Sequence, residues 1–289
     1  LQAPLLAMIR ELEPPGEFGP EALQVHVAPE SVESEAFRTL RTTLAFSGQG
    51  LERLAVTSTE PGDGKTTVLA NLGVSYAHAG KRTLLIDCDL RRPGLTRLFA
   101  MRSHDGVSDL LRSDADIAAM CHDRIQPTGV ERLDILPCGP KPSNPAELLS
   151  STRLADLLGW ADGQYDQVLV DCPPILAASD AAIVGLLSDS LLLVIQPTKN
   201  HRRLVLRAVH GLASIGVQIG GIVANKISDD ARSGYYGYGG YGYGYGYGYG
   251  EDEGDPLRDD LDGGDDFLGT EQLESGDAEL QEREKQLAA

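Results

Sequence analysis

The segment TSTEPGDGKTTV (57–68) combines glycines, a lysine and hydroxyls at the spacing phosphate chemistry requires. It closes on Gly64-Lys65-Thr66, the end of a P-loop, with Thr59 where the general pattern has its first glycine. Gly62 and Gly64 allow backbone N–H groups to approach phosphate oxygens, and a helix starting here would present its positive end. Lys65 can reach the β- and γ-phosphates, and the Thr66 hydroxyl can ligate Mg²⁺. Asp63 and Thr67 belong to the same nucleotide-binding turn. The bland alternative, a strand–turn–helix connection that happens to hold Gly-Lys-Thr, is disfavoured because two other segments agree with it.

Those segments supply carboxylates. TLLIDCDL (83–90) places Asp87 and Asp89 at the end of an apolar run, and QVLVDCPP (167–174) places Asp171 at the end of another, where a Walker B acid belongs. Residues i and i+2 of a strand point the same way. Asp87 and Asp89 can therefore share a metal site, or divide into a metal-bound acid and a proton acceptor. Helix capping ahead of RRPGLTRLF is their structural alternative. Arg91 and Arg92 either neutralise phosphate charge or form a solvated basic turn. Asn225, after GGIVA, is either a contact to a nucleotide base or a turn residue.

The elements that must position these groups alternate along the chain. Apolar runs at 53–59, 82–90, 133–139, 165–174, 188–197 and 217–227 read as buried strands, and 31–46, 65–80, 144–160 and 202–216 read as helices. Continuous apolar strands alternating with helices predict an α/β fold: a mostly parallel sheet covered on both faces, with ligands at the carboxyl ends of its strands. Residues 1–30, with five prolines, read as an extended lead-in, and 31–232 as the P-loop domain. Residues 233–250 are a Tyr/Gly-rich tail holding Tyr235, Tyr236, Tyr238, Tyr241, Tyr243, Tyr245, Tyr247 and Tyr249; its glycine content argues against stable structure.

Charge is unevenly spread. The net charge is −18, and from Glu251 to Ala289 there are fifteen acids against three bases. This acidic stretch predicts a solvated, disordered tail. Nucleic acid is excluded as a partner, since binding it needs a basic footprint. The four cysteines lack metal-site spacing and fit a reducing compartment. No stretch approaches 18 apolar residues, so no membrane-spanning helix is expected.

Taken in order, these motifs resemble bacterial tyrosine kinases of the polysaccharide co-polymerase type, over residues 30–250. ESEAFRTLRTTL resembles the family's oligomerisation helix, with Glu35, Arg38 and Arg41 on one face; TSTEPGDGKTT resembles its Walker A, LLIDCDLRRP its Walker A′, LPCGPKPSNPAELL its Pro-Asn-Pro stretch and VLVDCPP its Walker B. The tyrosine cluster follows in the expected order. The resemblance implies a partitioning-ATPase-like P-loop fold that uses ATP and Mg²⁺ to phosphorylate the tyrosine cluster of a neighbouring subunit in a ring. It implies Lys65 on the transferring phosphate, Thr66, Asp87, Asp89 and Asp171 sharing the metal and the activation of the tyrosine, with Asp87 favoured as the base and Asp89 with Asp171 for metal and water. It further implies a membrane co-polymerase activator, fused or separate, a cognate tyrosine phosphatase, and a place at the cytoplasmic face of the membrane in exopolysaccharide or capsule synthesis. Residues 1–12 resemble the segment after the second membrane helix of fused members.

The acidic residues after the tyrosines depart from the family, whereas Glu60, where partitioning ATPases carry a signature lysine, favours the kinase branch. A partitioning-type ATPase switch is the competing function. A third reading makes the Tyr-Gly repeats a self-associating low-complexity segment. For Glu35, Arg38 and Arg41 a surface ion pair is the bland alternative.

Overall fold

The computed structural model describes residues 3–13, 15–46, 51–101 and 104–228. The tyrosine cluster and the acidic stretch lie outside the described residues. Eight strands form one sheet: β1 (Leu5–Arg10), β2 (Arg53–Ser58), β3 (Thr83–Asp87), β4 (Gln126–Pro127), β5 (Leu133–Leu136), β6 (Gln167–Asp171), β7 (Ser190–Ile195) and β8 (Ile219–Ile227). Their order is β1-β8-β7-β2-β6-β3-β5-β4, and every pairing is parallel except β4 with β5. The helices are α1 (Gln24–Val27), α2 (Val32–Ala45), α3 (Lys65–His78), α4 (Gly94–Leu98), α5 (Val107–Leu110), α6 (Ile117–Arg124), α7 (Pro145–Leu149), α8 (Thr152–Gln164), α9 (Asp180–Leu186) and α10 (Arg202–Ser214).

The strands' period of two sorts the core. Ala55, Leu84, Ile86, Val168, Val170, Leu191 and Leu193 pack with α8, α9 and α10 on one face. Leu54, Val56, Leu85, Leu169, Leu192 and Val194 pack with α2 and α3 on the other. This alternation decides where the acids point. Cys88 and Cys172 join the first cluster, so Asp87 and Asp171, each one residue earlier, face the side covered by α3. Asp87 and Asp171 are register partners across β3 and β6.

Three local features depart from the sequence reading. The helix expected over 144–160 is broken into α7 and α8, because Ser150 caps one and Ser151 starts the next. The lead-in is more than a spacer: Leu5–Arg10 forms an edge strand parallel to β8, burying Leu6, Ala7 and Ile9. And β3 ends at Asp87, so Asp89 reaches the site from a turn, where its N–H donates to Asp87 Oδ1 at 3.2 Å. Among the described residues no helix is long and apolar enough to cross a membrane.

Candidate active site

The P-loop joins β2 to α3 at the carboxyl end of the sheet. Gly62 and Gly64 have φ of 88° and 92°, a left-handed backbone that glycine adopts without a Cβ penalty. Gly64 is the N-cap of α3, so the helix's free N–H groups open toward the loop. A cleft of about 570 Å³ lies in front, lined by Gly62, Gly64, Lys65, Thr66, Thr67, Asp89 and Lys226 and by Arg91, Arg92 and Arg97. Beside it, a cavity of about 120 Å³ is bounded by Gly64, Thr67, Asn225 and Lys226 on one side and by Leu12, Pro15, Ala22 and Gln24 on the other. The N-terminal segment thus walls the nucleotide side of the domain.

The charged groups meet at the start of α3. Lys65 Nζ lies 3.1 Å from Asp89 Oδ2 and 3.1 Å from Asp171 Oδ1. Thr66 Oγ1 donates to Asp171 Oδ2 at 2.7 Å and lies 3.2 Å from Lys65 Nζ. Burial by itself would lower the Lys65 pKa, but Asp171 and Asp89 outweigh it and hold the ammonium firmly charged. Two buried carboxylates require a cation between them. The Lys65 ammonium sits beside one hydroxyl and two carboxylates, a donor set that suits Mg²⁺. With a nucleotide bound, Thr66, Asp89 and Asp171 are the residues that would hold such an ion.

Asp87 lies behind this group and does not line the cleft. Its Oδ2 accepts from the Thr96 N–H at 2.8 Å and from Thr96 Oγ1 at 2.7 Å. Burial and the Asp171 charge push its carboxyl up to about 7, against the opposing effect of Thr96 and Lys65. Burial likewise raises Asp171. It also raises the thiols of Cys88 and Cys172 well above their ordinary range, leaving them as core groups.

The other predicted residues brace the loop. Asp63 is fully buried, and its carboxylate accepts from the Glu60 N–H at 2.8 Å and from Lys199 Nζ at 2.8 Å. Its side chain therefore faces away from the cleft, leaving only its backbone for phosphate. Asn225 Nδ2 donates to the Asp63 carbonyl at 2.8 Å, at the rim of the smaller cavity. Arg38 pairs with Glu35 at 2.7 Å on the exposed side of α2, whereas Arg41 turns inward and donates to the Ser75 carbonyl and to Ser75 Oγ.

Several contributors carried no local signal. Thr96 buttresses Asp87 and also accepts from the Cys138 N–H at 2.9 Å. Asn200 Nδ2 donates to Glu60 Oε2 at 2.8 Å, which accounts for an acid at that position. Lys226 Nζ donates to the Gly62 carbonyl at 3.1 Å. Arg91 is held by the buried Asp180 through two bonds of 2.8 and 3.0 Å. Gly94 leaves no room for a side chain, since a Cβ there would lie 2.8 Å from Thr66 Oγ1. Replacing it should displace the Thr66 hydroxyl. Gly94→Ala is expected to weaken Mg²⁺-dependent nucleotide binding by about tenfold, in line with losing one metal-positioning contact. Titrating a fluorescent ADP with and without Mg²⁺ checks this; equal affinity to wild type in Mg²⁺ would contradict it.

A parallel sheet with a P-loop at its carboxyl edge and acids on two adjacent strands defines a P-loop nucleotide-binding protein. Residues 52–225 match the family described as AAA domain. The chain is 39% identical over 213 residues to the tyrosine-protein kinase wzc of Salmonella typhimurium, covering 73% of this chain and 29% of that protein. It is 38% identical over 213 residues to the tyrosine-protein kinase YwqD of Bacillus subtilis, covering 72% of this chain and 88% of that protein. Against the putative tyrosine-protein kinase CapB of Staphylococcus aureus it is 36% identical over 218 residues, covering 75% and 94%. The chain thus spans under a third of the Salmonella relative and most of the other two. Among solved structures, the kinase domain of Escherichia coli tyrosine kinase ETK superposes with a TM-score of 0.72 at 32% identity, covering 84% of this chain and 96% of that one. The chimerical protein CapA2B2 gives 0.72 at 31% identity, covering 79% and 96%. The Pyrococcus horikoshii septum site-determining protein MinD complexed with Mg-ADP gives 0.51 at 26% identity, covering 63% and 75%. The chain belongs to the bacterial tyrosine-protein kinase family.

Proposed function

We propose that this chain is an ATP-dependent protein-tyrosine kinase whose acceptors are the tyrosines between 235 and 249, presented by another copy of the chain. The observation that carries the reading is the cluster of Lys65, Thr66, Asp89 and Asp171 at the floor of the cleft, in a chain that also carries eight tyrosines in one glycine-rich run. Phosphoryl transfer needs little covalent help from a protein beyond positioning and charge stabilisation. The P-loop N–H groups and Lys65 would hold the phosphates. Thr66, Asp89 and Asp171 would hold Mg²⁺, which supplies neutralisation of phosphate charge.

A tyrosine hydroxyl is a weak nucleophile at its ordinary pKa near 10. As its oxygen bonds to the γ-phosphorus, its proton passes to a carboxylate, and the bond from that phosphorus to the β–γ bridging oxygen breaks to release ADP. Asp87 is the acceptor we propose: burial and Asp171 raise its carboxyl to about 7, and because it does not line the cleft in the ligand-free chain, the proton would reach it only once bound nucleotide and tyrosine open the floor of the site. Asp89 lines the cleft, where it would face the cation. Incubating wild type and Lys65→Met with ATP and Mg²⁺ and blotting for phosphotyrosine tests the reading; a wild-type signal no stronger than the variant's would reject it.

Among the relatives, the Ralstonia, Erwinia and Klebsiella proteins are putative tyrosine-protein kinases, the last described as in a cps region. We extend to this chain an activator at the cytoplasmic face of the membrane, self-assembly, and reversal by a tyrosine phosphatase. For self-assembly the exposed Glu35–Arg38 side of α2 is the contact surface, and Arg41 anchors the helix to α3. Glu35→Ala with Arg38→Ala should lower the assembled mass, with some loss of melting temperature because Arg38 also donates to the Pro29 carbonyl, while Arg41→Ala should lower the melting temperature by a few degrees and leave the mass unchanged. Light scattering after size exclusion, together with a thermal melt, separates the two. Unchanged mass in the double variant would contradict the assignment.

A further inference from the structure

The rim of the cleft is basic, and its charge exceeds what the described residues neutralise. Arg91, Arg92 and Arg97 all line it and all are exposed. The Arg91 charge is met by the buried Asp180, and Lys65 is met below by Asp89 and Asp171. The Arg97 side chain makes one bond among the described residues, from Nε to the Pro93 carbonyl at 3.2 Å. The Arg92 side chain has no hydrogen-bond or ion-pair partner among the described residues; only its backbone N–H is bonded, to Asp89 Oδ1 at 2.9 Å. Two guanidinium groups therefore face the mouth uncompensated.

The same chain carries a segment of opposite charge next to its acceptors. Tyr249 is followed by Gly250 and then by Glu251, Asp252 and Glu253, opening a stretch with fifteen acids against three bases. In extended backbone two residues span about 7 Å. Tyr249 entering the cleft thus brings these acids to its edge.

We propose that Arg92 and Arg97 form a docking surface for the acidic segment that begins at Glu251 of a second copy, selecting acceptors that carry acids on the C-terminal side of the tyrosine. This rests on the kinase reading and gives a role to the acidic stretch that the catalytic chemistry leaves unused.

The test uses full-length chains. Wild-type donor phosphorylates a size-tagged Lys65→Met acceptor at rising acceptor concentration. Neutralising the acceptor by Glu251→Gln, Asp252→Asn and Glu253→Gln should raise its half-saturating concentration about fivefold, the scale of two exposed ion pairs. A donor with Arg92→Gln and Arg97→Gln should show the same rise, with little further rise when both changes are combined. At 0.5 M salt the difference should vanish, because exposed pairs are screened. Half-saturation unmoved by either change would overturn the proposal. So would a donor variant that loses fluorescent-ADP affinity, which would assign the rim to nucleotide phosphate. If no acceptor is phosphorylated by wild type, the kinase reading fails first. Anisotropy of a labelled peptide of residues 244–257 then decides docking: weaker binding to the arginine variant supports it, and equal binding overturns it.

Discussion

Lys65→Met should abolish phosphate transfer and also destabilise the ligand-free protein. The first effect follows from the role proposed for the lysine on the transferring phosphate; a loss of about 10³-fold or more is expected for removing a principal electrostatic stabiliser. The second follows from the geometry. Lys65 is 9% exposed and lies 3.1 Å from both Asp89 and Asp171, which are 3% and 0% exposed. Deleting one partner of a buried ionic group typically costs about 3–5 kcal/mol, because the remaining charge is stranded. A thermal melt of the apo variant should show a marked drop, and millimolar Mg²⁺ should restore part of it by supplying the missing cation. A variant that melts with wild type and ignores Mg²⁺ would show that the lysine does not neutralise these acids.

Asp87→Asn should do the opposite to stability while also removing activity. Its carboxyl is fully buried and raised to about 7, first by burial and then by the neighbouring Asp171. A group whose folded pKa lies above its unfolded value contributes most at low pH, and that contribution is lost as pH rises toward the folded value. Wild type should therefore lose stability from this residue between about pH 4 and pH 7, relative to the asparagine variant. The variant's gain in melting temperature should be small at pH 4.5 and reach its full size by pH 7.5. Asparagine can still accept the two Thr96 bonds through its oxygen; its amide nitrogen loses the Asp89 N–H bond, a cost that does not change with pH. As a proton acceptor it cannot serve, so phosphotyrosine formation should fall about 10²–10⁴-fold. A variant that is more stable yet fully active would remove Asp87 from the chemistry. A variant less stable at pH 7.5 would contradict the account of its environment.

How far these residues could be read from the chain alone depends on distance along it. Lys65 and Thr66 are legible because phosphate chemistry constrains neighbours within one turn, so the spacing is itself the signal. Asp87 and Asp171 are legible because each ends an apolar run, and strand periodicity then aims both at α3. The parallel sheet follows from the same runs. By contrast, Thr96 lies nine residues from the carboxylate it supports, on a helix of five residues too short to show a period. Asp180 meets Arg91 and Lys199 meets Asp63 only through the fold, 89 and 136 positions apart. Gly94 resembles any loop glycine until its approach to Thr66 is seen, and its backbone needs no positive φ. The edge strand β1 was hidden by the prolines around it: Leu5–Arg10 is a short apolar run, and only pairing with β8 separates it from a linker.

The inward turn of Arg41 shows a related limit. Helical spacing places Glu35, Arg38 and Arg41 together on α2, but spacing does not say which of them the core will claim. The Ser75 carbonyl and hydroxyl claim Arg41 for the fold, leaving Glu35 and Arg38 at the surface.

The central claim is that the P-loop site of one chain phosphorylates the tyrosines of another. Its most direct test mixes two full-length variants that are each inactive as self-phosphorylating units. One carries Lys65→Met with all tyrosines intact; the other keeps the site but has Tyr→Phe at 235, 236, 238, 241, 243, 245, 247 and 249. With ATP and Mg²⁺, mass spectrometry should find phosphotyrosine between residues 235 and 249 of the Lys65→Met chain only when the second variant is present. Phosphotyrosine no higher in the mixture than in the Lys65→Met chain alone, with wild type active under the same conditions, would contradict transfer between copies.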